Sequence, residues 1–453
     1  MLFHGGLGTD GGFCKDENAV VGLFFERREF DEQAESLFHD AHLLGWWVMP
    51  LPPEKHCMPQ SFLFCDSPAV AVRWVSLLVI FSAGLGQPCV SHGREPQEAK
   101  NQASAARQRI VTVAASTPDA TRKGEGDVIE LEDGRLLLVY MEFSGTGSDF
   151  AKTRLVAQES ADHGQTWRHH RVVTNTLEGD MNVYSPNLIR AKDGGILLMF
   201  MRQHRPGSLT IHVWKSTDEG QAFDPFAEAA GGSDLALCNA TVKRLASGRL
   251  LLPANPPAPG KPAETGPYAA TVLFSDDDGR TWTVSKSRLE LAKRGAMEPH
   301  VEQTATGRVL MVMRNQLGRL HVSDSTDDGE TWSEPRAIEL QSPESCPELV
   351  RRPQSDDLVM IWNNSYDPAF RSHFGKRSPL TVAISRDHGK SWQRIGDIET
   401  DPSRAFSNPG CRFTRQGRAI LNYWTCEYLP DWAMQDVIDL RVAVLEPDWF
   451  DRP

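Results

Sequence analysis

The chain lacks an apolar run long enough to cross a bilayer. Its longest candidate, VAVRWVSLLVIFSAGLG at 70–86, has an arginine followed by about ten apolar and then small residues. It also lacks a long basic block, and the formal net charge of -12 argues against a nucleic-acid footprint while leaving room for a local basic pocket. None of the eight cysteines stands in a CxxC pair or in a Cys/His pair at metal-ligand spacing, so no zinc site and no cofactor are predicted. Cys14, Cys57, Cys65 and Cys89 lie early, and Cys238, Cys346, Cys411 and Cys426 late. The late four read as scattered buried thiols, with a Cys411–Cys426 bridge between neighbouring strands as the alternative in an exported protein. Helical periodicity is missing throughout residues 122–447.

What is there instead is repetition. SADHGQTW (160–167), STDEGQAF (216–223), SDDDGRTW (275–282), STDDGETW (325–332) and SRDHGKSW (385–392) are near copies of one phrase, their starts 56, 59, 50 and 60 residues apart. A second pattern runs out of step with it: DGRLLLVY, DGGILLMF, SGRLLLPA, TGRVLMVM, SDDLVMIW and QGRAILNY, each a turn followed by a short apolar strand. Short apolar segments before and after each copy give four strands per unit. Six such units predict an all-β fold, a six-bladed propeller of four-stranded antiparallel blades. With five phrases for six blades, the last is expected to be completed by VTVAAS (111–116) or by LRVAVLE (440–446).

The phrase itself reads as a hairpin staple. Asp and Ser side chains take up backbone N–H groups in the turn, Gly supplies the positive φ, and Trp folds back between sheets. Residues 1–105 carry no copy and are expected to form an N-terminal extension, disordered or removed, ahead of a propeller at 106–453. Segment 70–86 resembles a secretory signal core and becomes a signal peptide of ordinary length if translation starts at Met58, which predicts a secreted or periplasmic protein. A buried or disordered N-terminal extension is the alternative.

With the strands of a blade lettered a to d outward from the axis, the phrases are c–d turns. They therefore occupy the rim opposite the starts of strands a and the ends of strands b, and chemistry is expected on the rim that lacks them. That rim collects Arg122, Asp149, Asn187, Arg202, Asn239, Glu298, Arg314, Arg377 and Arg404. Arginines converging there from several blades would repel one another unless an anion sat among them, and guanidinium forks suit a carboxylate.

Five SxDxGxTW phrases on this pattern resemble the Asp-box repeats of the sialidase (neuraminidase) superfamily, over about residues 110–447. The hairpin EPHVEQTATGRVLMVMR carries the resemblance further, with Glu298 and Arg314 at its two ends. The likeness implies an exo-acting glycosidase without cofactor, releasing sialic acid or a related acidic sugar from a glycan or glycoconjugate. It implies carboxylate binding by Arg122, Arg314 and Arg377, with Asp149 as general acid/base at a raised pKa and Glu298 as the base for a tyrosine nucleophile. Lys123 follows Arg122 where the family has Ile-Pro, and Phe406 of RAFSNPG stands where the tyrosine is expected. Three alternatives remain. Tyr184, Tyr366 or Tyr428 substitutes, water attacks directly, or the propeller binds carbohydrate or protein without cleaving it. A hydrolase or lyase of other acidic polysaccharides is a further reading.

Overall fold

A computed structural model describes residues 107–205, 207–262, 266–370 and 373–452. The expectations for the extension, segment 70–86 and the Met58 start lie outside the described residues. Among these, the strands form six antiparallel sheets, and no helix is long and apolar enough to cross a membrane. Inner strands of blades 4, 5, 6, 1 and 2 touch in turn, blade 6 closing onto blade 1, while blade 3 meets blade 4 through Leu250–Ala254 and blade 2 through a bond from Arg244 Nη2 to the Arg190 carbonyl at 3.0 Å.

Blade 1 comprises Arg122–Glu130, Leu136–Phe143, Thr153–Ser160 and Arg168–Asn175, and blade 2 comprises Asn182–Arg190, Ile196–Arg205, Ser208–Ser216 and Asp224–Ser233. Blade 3 runs Lys243–Arg244, Leu250–Ala254 and Ala269–Ser275, with its outer edge split into Thr283–Val284 and Leu289–Glu290. Blade 4 comprises Met297–Gln303, Val309–Arg314, Arg319–Ser325 and Arg336–Gln341. Blade 5 comprises Glu348–Arg351, Leu358–Asn363, Leu380–Ser385 and Gln393–Glu399. Blade 6 joins Arg404–Phe413, Ala419–Glu427 and Asp439–Leu445 to the N-terminal strand Gln108–Ala114. Both candidate closing segments are thus used, the C-terminal one as strand c and the N-terminal one as strand d. Five phrases serve six blades because the sixth c–d junction is not a covalent turn.

The core is a ring of apolar clusters between blades. Leu137, Val139 and Leu155 of blade 1 meet Leu198 and Phe200 of blade 2, and comparable clusters fill the other five gaps. Each phrase clamps its blade to the preceding one. In the third, the Asp277 carboxylate accepts bonds from Ser275 Oγ, Arg280 N, Thr281 N and Thr281 Oγ1, and Trp282 Nε1 donates to the Gly279 carbonyl at 3.0 Å. Gly279 has φ +88°, and a Cβ there would stand 3.2 Å from Leu197 of blade 2. The phrase aromatics Trp167, Phe223, Trp282, Trp332 and Trp392 all pack into the cluster shared with the preceding blade.

Candidate active site at the propeller axis

Four inner strands carry the same irregularity. Their pairing with strand b slips between Gly124 and Asp127, Tyr184 and Asn187, Met297 and His300, and Ser407 and Gly410. At these bulges Glu125, Ser185, Glu298 and Asn408 adopt positive φ, costly for residues with a Cβ. All four line one axial cavity of about 890 Å³, within the size range of small-ligand sites. The cavity lies on the rim away from the phrases.

Three guanidiniums from three blades line it. Arg122 starts strand a of blade 1, Arg314 ends strand b of blade 4, and Arg377 precedes strand c of blade 5. Arg122 is paired with Asp149 and Glu125 and lies over the Phe143 ring, 4.2 Å from its centroid. Arg314 donates to Glu298 at 2.8 Å and Glu344 at 3.2 Å. Arg377 differs. Among the described residues its side chain makes one hydrogen bond, 3.4 Å to the backbone oxygen of Glu344, and no carboxylate lies within ion-pair distance. The Nε atoms of all three are buried without a hydrogen-bond partner. Burial and then the nearby Arg314 push the Arg377 pKa down to about 10. The charge of Arg377, then burial, then Arg314 and Arg294 push the His373 pKa down to about 2. Glu298 and Glu344 offset the charge of Arg377 from a distance, and both are already engaged by Arg314.

The acids divide by proton affinity. Burial raises the Glu125 carboxyl, and Asp149 and Glu298 add to this beyond what Arg122 offsets. Burial opposes ionisation of Glu298 too, but Arg314 and Arg377 hold it below the usual carboxylate range. Asp149 is exposed at the cavity mouth in the b–c loop of blade 1, its side chain 78% accessible. Partial desolvation works against its charge, yet Arg122, with Arg377 and Arg314 behind it, holds it below the ordinary value. The raised pKa expected of the general acid therefore belongs to Glu125 in this arrangement. Tyr184 also lines the cavity and donates to the Asp149 carbonyl at 2.8 Å, burial pushing its pKa up to about 12.

The structure thus brings Arg122, Asp149, Tyr184, Glu298, Arg314 and Arg377 to one cavity, and leaves Arg202, Asn239, Tyr366 and Phe406 out of its lining. Arg202 pairs with Asp180, while its strand neighbours Met201 and Gln203 face the cavity, as alternation along a strand requires. Asn239 is buried and donates to the Gly126 carbonyl at 2.9 Å. Tyr366 packs against Gly318. Phe406 is fully buried in the cluster between blades 5 and 6, with its ring centroid 6.2 Å from that of Tyr423. The bulge after Ser407 hands the cavity position to Asn408, whose Oδ1 accepts from Trp424 Nε1 at 2.9 Å. Tyr428 accepts a bond from Arg377 N at 2.7 Å and is not among the lining residues. Sequence reasoning missed Glu125, Tyr268, His373, Asn408 and Trp424 in the lining, and Glu344 beside Arg314.

The described cysteines are all free and buried. A Cys411–Cys426 bridge is ruled out by register. Cys411 lies opposite Leu421 and Cys426 opposite Ala405, so the two are about five residues, roughly 17 Å, apart along the sheet. Cys238 and Cys346 are not scattered. Their Sγ atoms lie 3.3 Å apart at the cavity floor, beside His300.

A ring of six blades with guanidiniums and carboxylates round an axial cavity defines a sialidase-like propeller. Residues 182–421 match the BNR repeat-like domain, and the chain belongs to that family. Among solved structures it is similar to the NanB sialidase of Streptococcus pneumoniae, at 14% identity and TM-score 0.59, covering 76% of this chain and 71% of that one. It is also similar to the Trypanosoma rangeli sialidase, at 14% identity and TM-score 0.56, over 76% of this chain and 60% of that one. A protein of unknown function from Dyadobacter fermentans aligns at 17% identity and TM-score 0.56, covering 75% of this chain and 99% of that one. No curated protein matches the chain.

Proposed function

We propose that this protein is an exo-acting glycoside hydrolase of sialidase type, taking a terminal acidic sugar from a glycan or glycoconjugate into the axial cavity. One observation carries the reading: among the described residues Arg377 is a buried guanidinium without a carboxylate at ion-pair distance, beside Arg314 in the cavity that Arg122 also lines. A carboxylate sugar supplies the missing charge, and a planar carboxylate accepts two parallel bonds from a guanidinium. A sugar carboxylate that also engaged Arg122 would loosen its hold on Asp149, raising the Asp149 pKa toward that of a general acid. Glu298, kept ionised by Arg314, is then the base or charge stabiliser opposite. The NanB and T. rangeli proteins are named as sialidases, which favours this class over other acidic-polysaccharide hydrolases or lyases.

A second reading, a carbohydrate- or protein-binding propeller without turnover, is favoured by Asn408 standing at the blade 6 bulge and Phe406 lying in the core. Turnover of a fluorogenic sialoside by wild-type protein, lost in Asp149→Ala and Glu298→Gln, supports the hydrolase. Sialoside binding without turnover supports the second reading, and neither binding nor turnover rejects both. Export belongs to the same proposal, and a mature N-terminus beginning at Met1 would reject it.

A further inference from the structure

The geometry points to a metal site of two thiolates and one imidazole, Cys238, Cys346 and His300, beneath the axial cavity. The three donor atoms lie within 4.8 Å of one another, and all three residues are buried. Cys238 Sγ to Cys346 Sγ is 3.3 Å, and Cys346 Sγ to His300 Nε2 is 3.4 Å. A tetrahedral zinc, with Zn–S about 2.3 Å and Zn–N about 2.0 Å, spaces two sulfurs about 3.8 Å apart and a sulfur and nitrogen about 3.5 Å apart. The site therefore fits an ion after an opening of about half an ångström.

Three surroundings favour an ion over a chance meeting of side chains. Behind the imidazole, Glu348 Oε1 lies 3.5 Å from His300 Nδ1. That nitrogen is buried and makes no hydrogen bond within normal geometry. A proton on Nδ1 directed at Glu348 leaves the Nε2 lone pair for the metal, the carboxylate–histidine arrangement that orients metal-bound imidazoles. Second, two thiolates and a divalent ion sum to zero charge. Glu348 in turn faces Lys243 at 3.6 Å, a lysine that Glu302 shares at the same distance, so a neutral thiolate–metal unit adds no further charge to this buried cluster. Third, Cys238 also lines the axial cavity, which gives an ion and a fourth ligand, water, a route in. The donors come from the approach to blade 3, strand a of blade 4 and the approach to blade 5, so an ion would tie three blades together. Soft sulfur with imidazole suits zinc(II) over magnesium or calcium.

The test is titration of the whole chain, purified with its thiols reduced, with cobalt(II) chloride as a spectroscopic stand-in for zinc. About one cobalt per chain is expected, with a thiolate-to-cobalt charge-transfer band. Zinc should displace it, and Cys411→Ser and Cys426→Ser should leave it unchanged. Cys346→Ser should abolish the band, and Glu348→Gln should weaken binding about 10–100-fold. The proposal is overturned if the reduced wild-type protein gives no thiolate band, which requires no variant to fold. It is also overturned if the band survives Cys346→Ser, or if protein isolated without reductant carries a Cys238–Cys346 disulfide. The metal readout is independent of sialoside turnover.

Discussion

Arg314 and Arg377 line the same cavity, yet they should respond to neutral replacement in opposite ways. Removing Arg314 strands Glu298, whose negative charge it offsets, while Glu344 keeps Arg294 and Gln316, and an uncompensated buried charge costs about 3–5 kcal/mol. Arg377 offsets no carboxylate within ion-pair distance, and its charge is itself disfavoured by burial and by Arg314. Arg377→Met is therefore expected to leave urea stability unchanged or slightly raised, while weakening acidic-sugar binding by about 2–5 kcal/mol, roughly 30-fold or more. Arg314→Met should lose stability as well as binding. Equal destabilisation by the two substitutions, in parallel urea titrations, would remove the argument for an anion at Arg377. The same logic separates the acids. If Glu125, with its raised proton affinity, delivers the proton, Glu125→Gln lowers turnover at least as far as Asp149→Asn and removes the alkaline limb of the pH–rate profile. If Asp149 delivers it, that limb survives Glu125→Gln.

The five phrases are where sequence and structure agree most closely, because each phrase makes its contacts within eight residues and with one neighbouring blade. Their carboxylates also set an acid limit. Burial disfavours the charged forms of Asp162, Asp277 and Asp387, but hydrogen bonds from their own turns push each pKa down to about 2. The unfolded carboxylates bind protons near their ordinary value of 3.8. Stability from these turns is therefore complete above about pH 4 and drains away as pH falls toward 2. Asp277→Ala is expected to cost about 1–2 kcal/mol at neutral pH and to shallow that acid decline. Asp218→Ala should cost less, since Ala222 and Phe223 replace the hydroxyl and indole of the phrase. Equal losses in chemical denaturation would contradict the staple reading. Bulges explain what stayed illegible. Strand alternation assigns a face to every second residue, and a bulge inserts one residue that shifts the count. Asn408, Glu125 and Ser185 sit at such insertions. Glu298 shares that geometry but was legible from its hairpin with Arg314. The Cys238, His300 and Cys346 cluster was illegible for a different reason, its members lying 46–108 residues apart and meeting only because blades 3, 4 and 5 converge on the axis.

At the scale of the whole molecule, site and stability depend on one seam. Blade 6 holds together across the chain ends, with Gln108–Ala114 pairing in antiparallel register with Asp439–Leu445. Side chains reinforce it, Trp449 Nε1 donating to Gln108 Oε1 at 2.9 Å and Gln108 Nε2 to the Ile398 carbonyl at 2.8 Å. Ile110 packs on the cluster between blades 5 and 6, and Val111 and Val113 on the one between blades 6 and 1. The cavity draws Arg122 and Glu125 from blade 1 and Asn408 and Trp424 from blade 6, so the seam braces two adjoining parts of its wall. Glu298, Arg314 and Arg377 come from blades 4 and 5, away from it. A paired charge substitution, Ile110→Asp with Val111→Asp, puts a carboxylate against each of the two flanking clusters. It is expected to lower the melting temperature by several degrees and to weaken acidic-sugar binding in proportion, while thiolate–cobalt binding at blades 3 to 5 persists in the folded fraction. Loss of all three in a single cooperative transition would mean that the ring folds and fails as one unit. Unchanged melting would mean that the N-terminal strand is not the clasp.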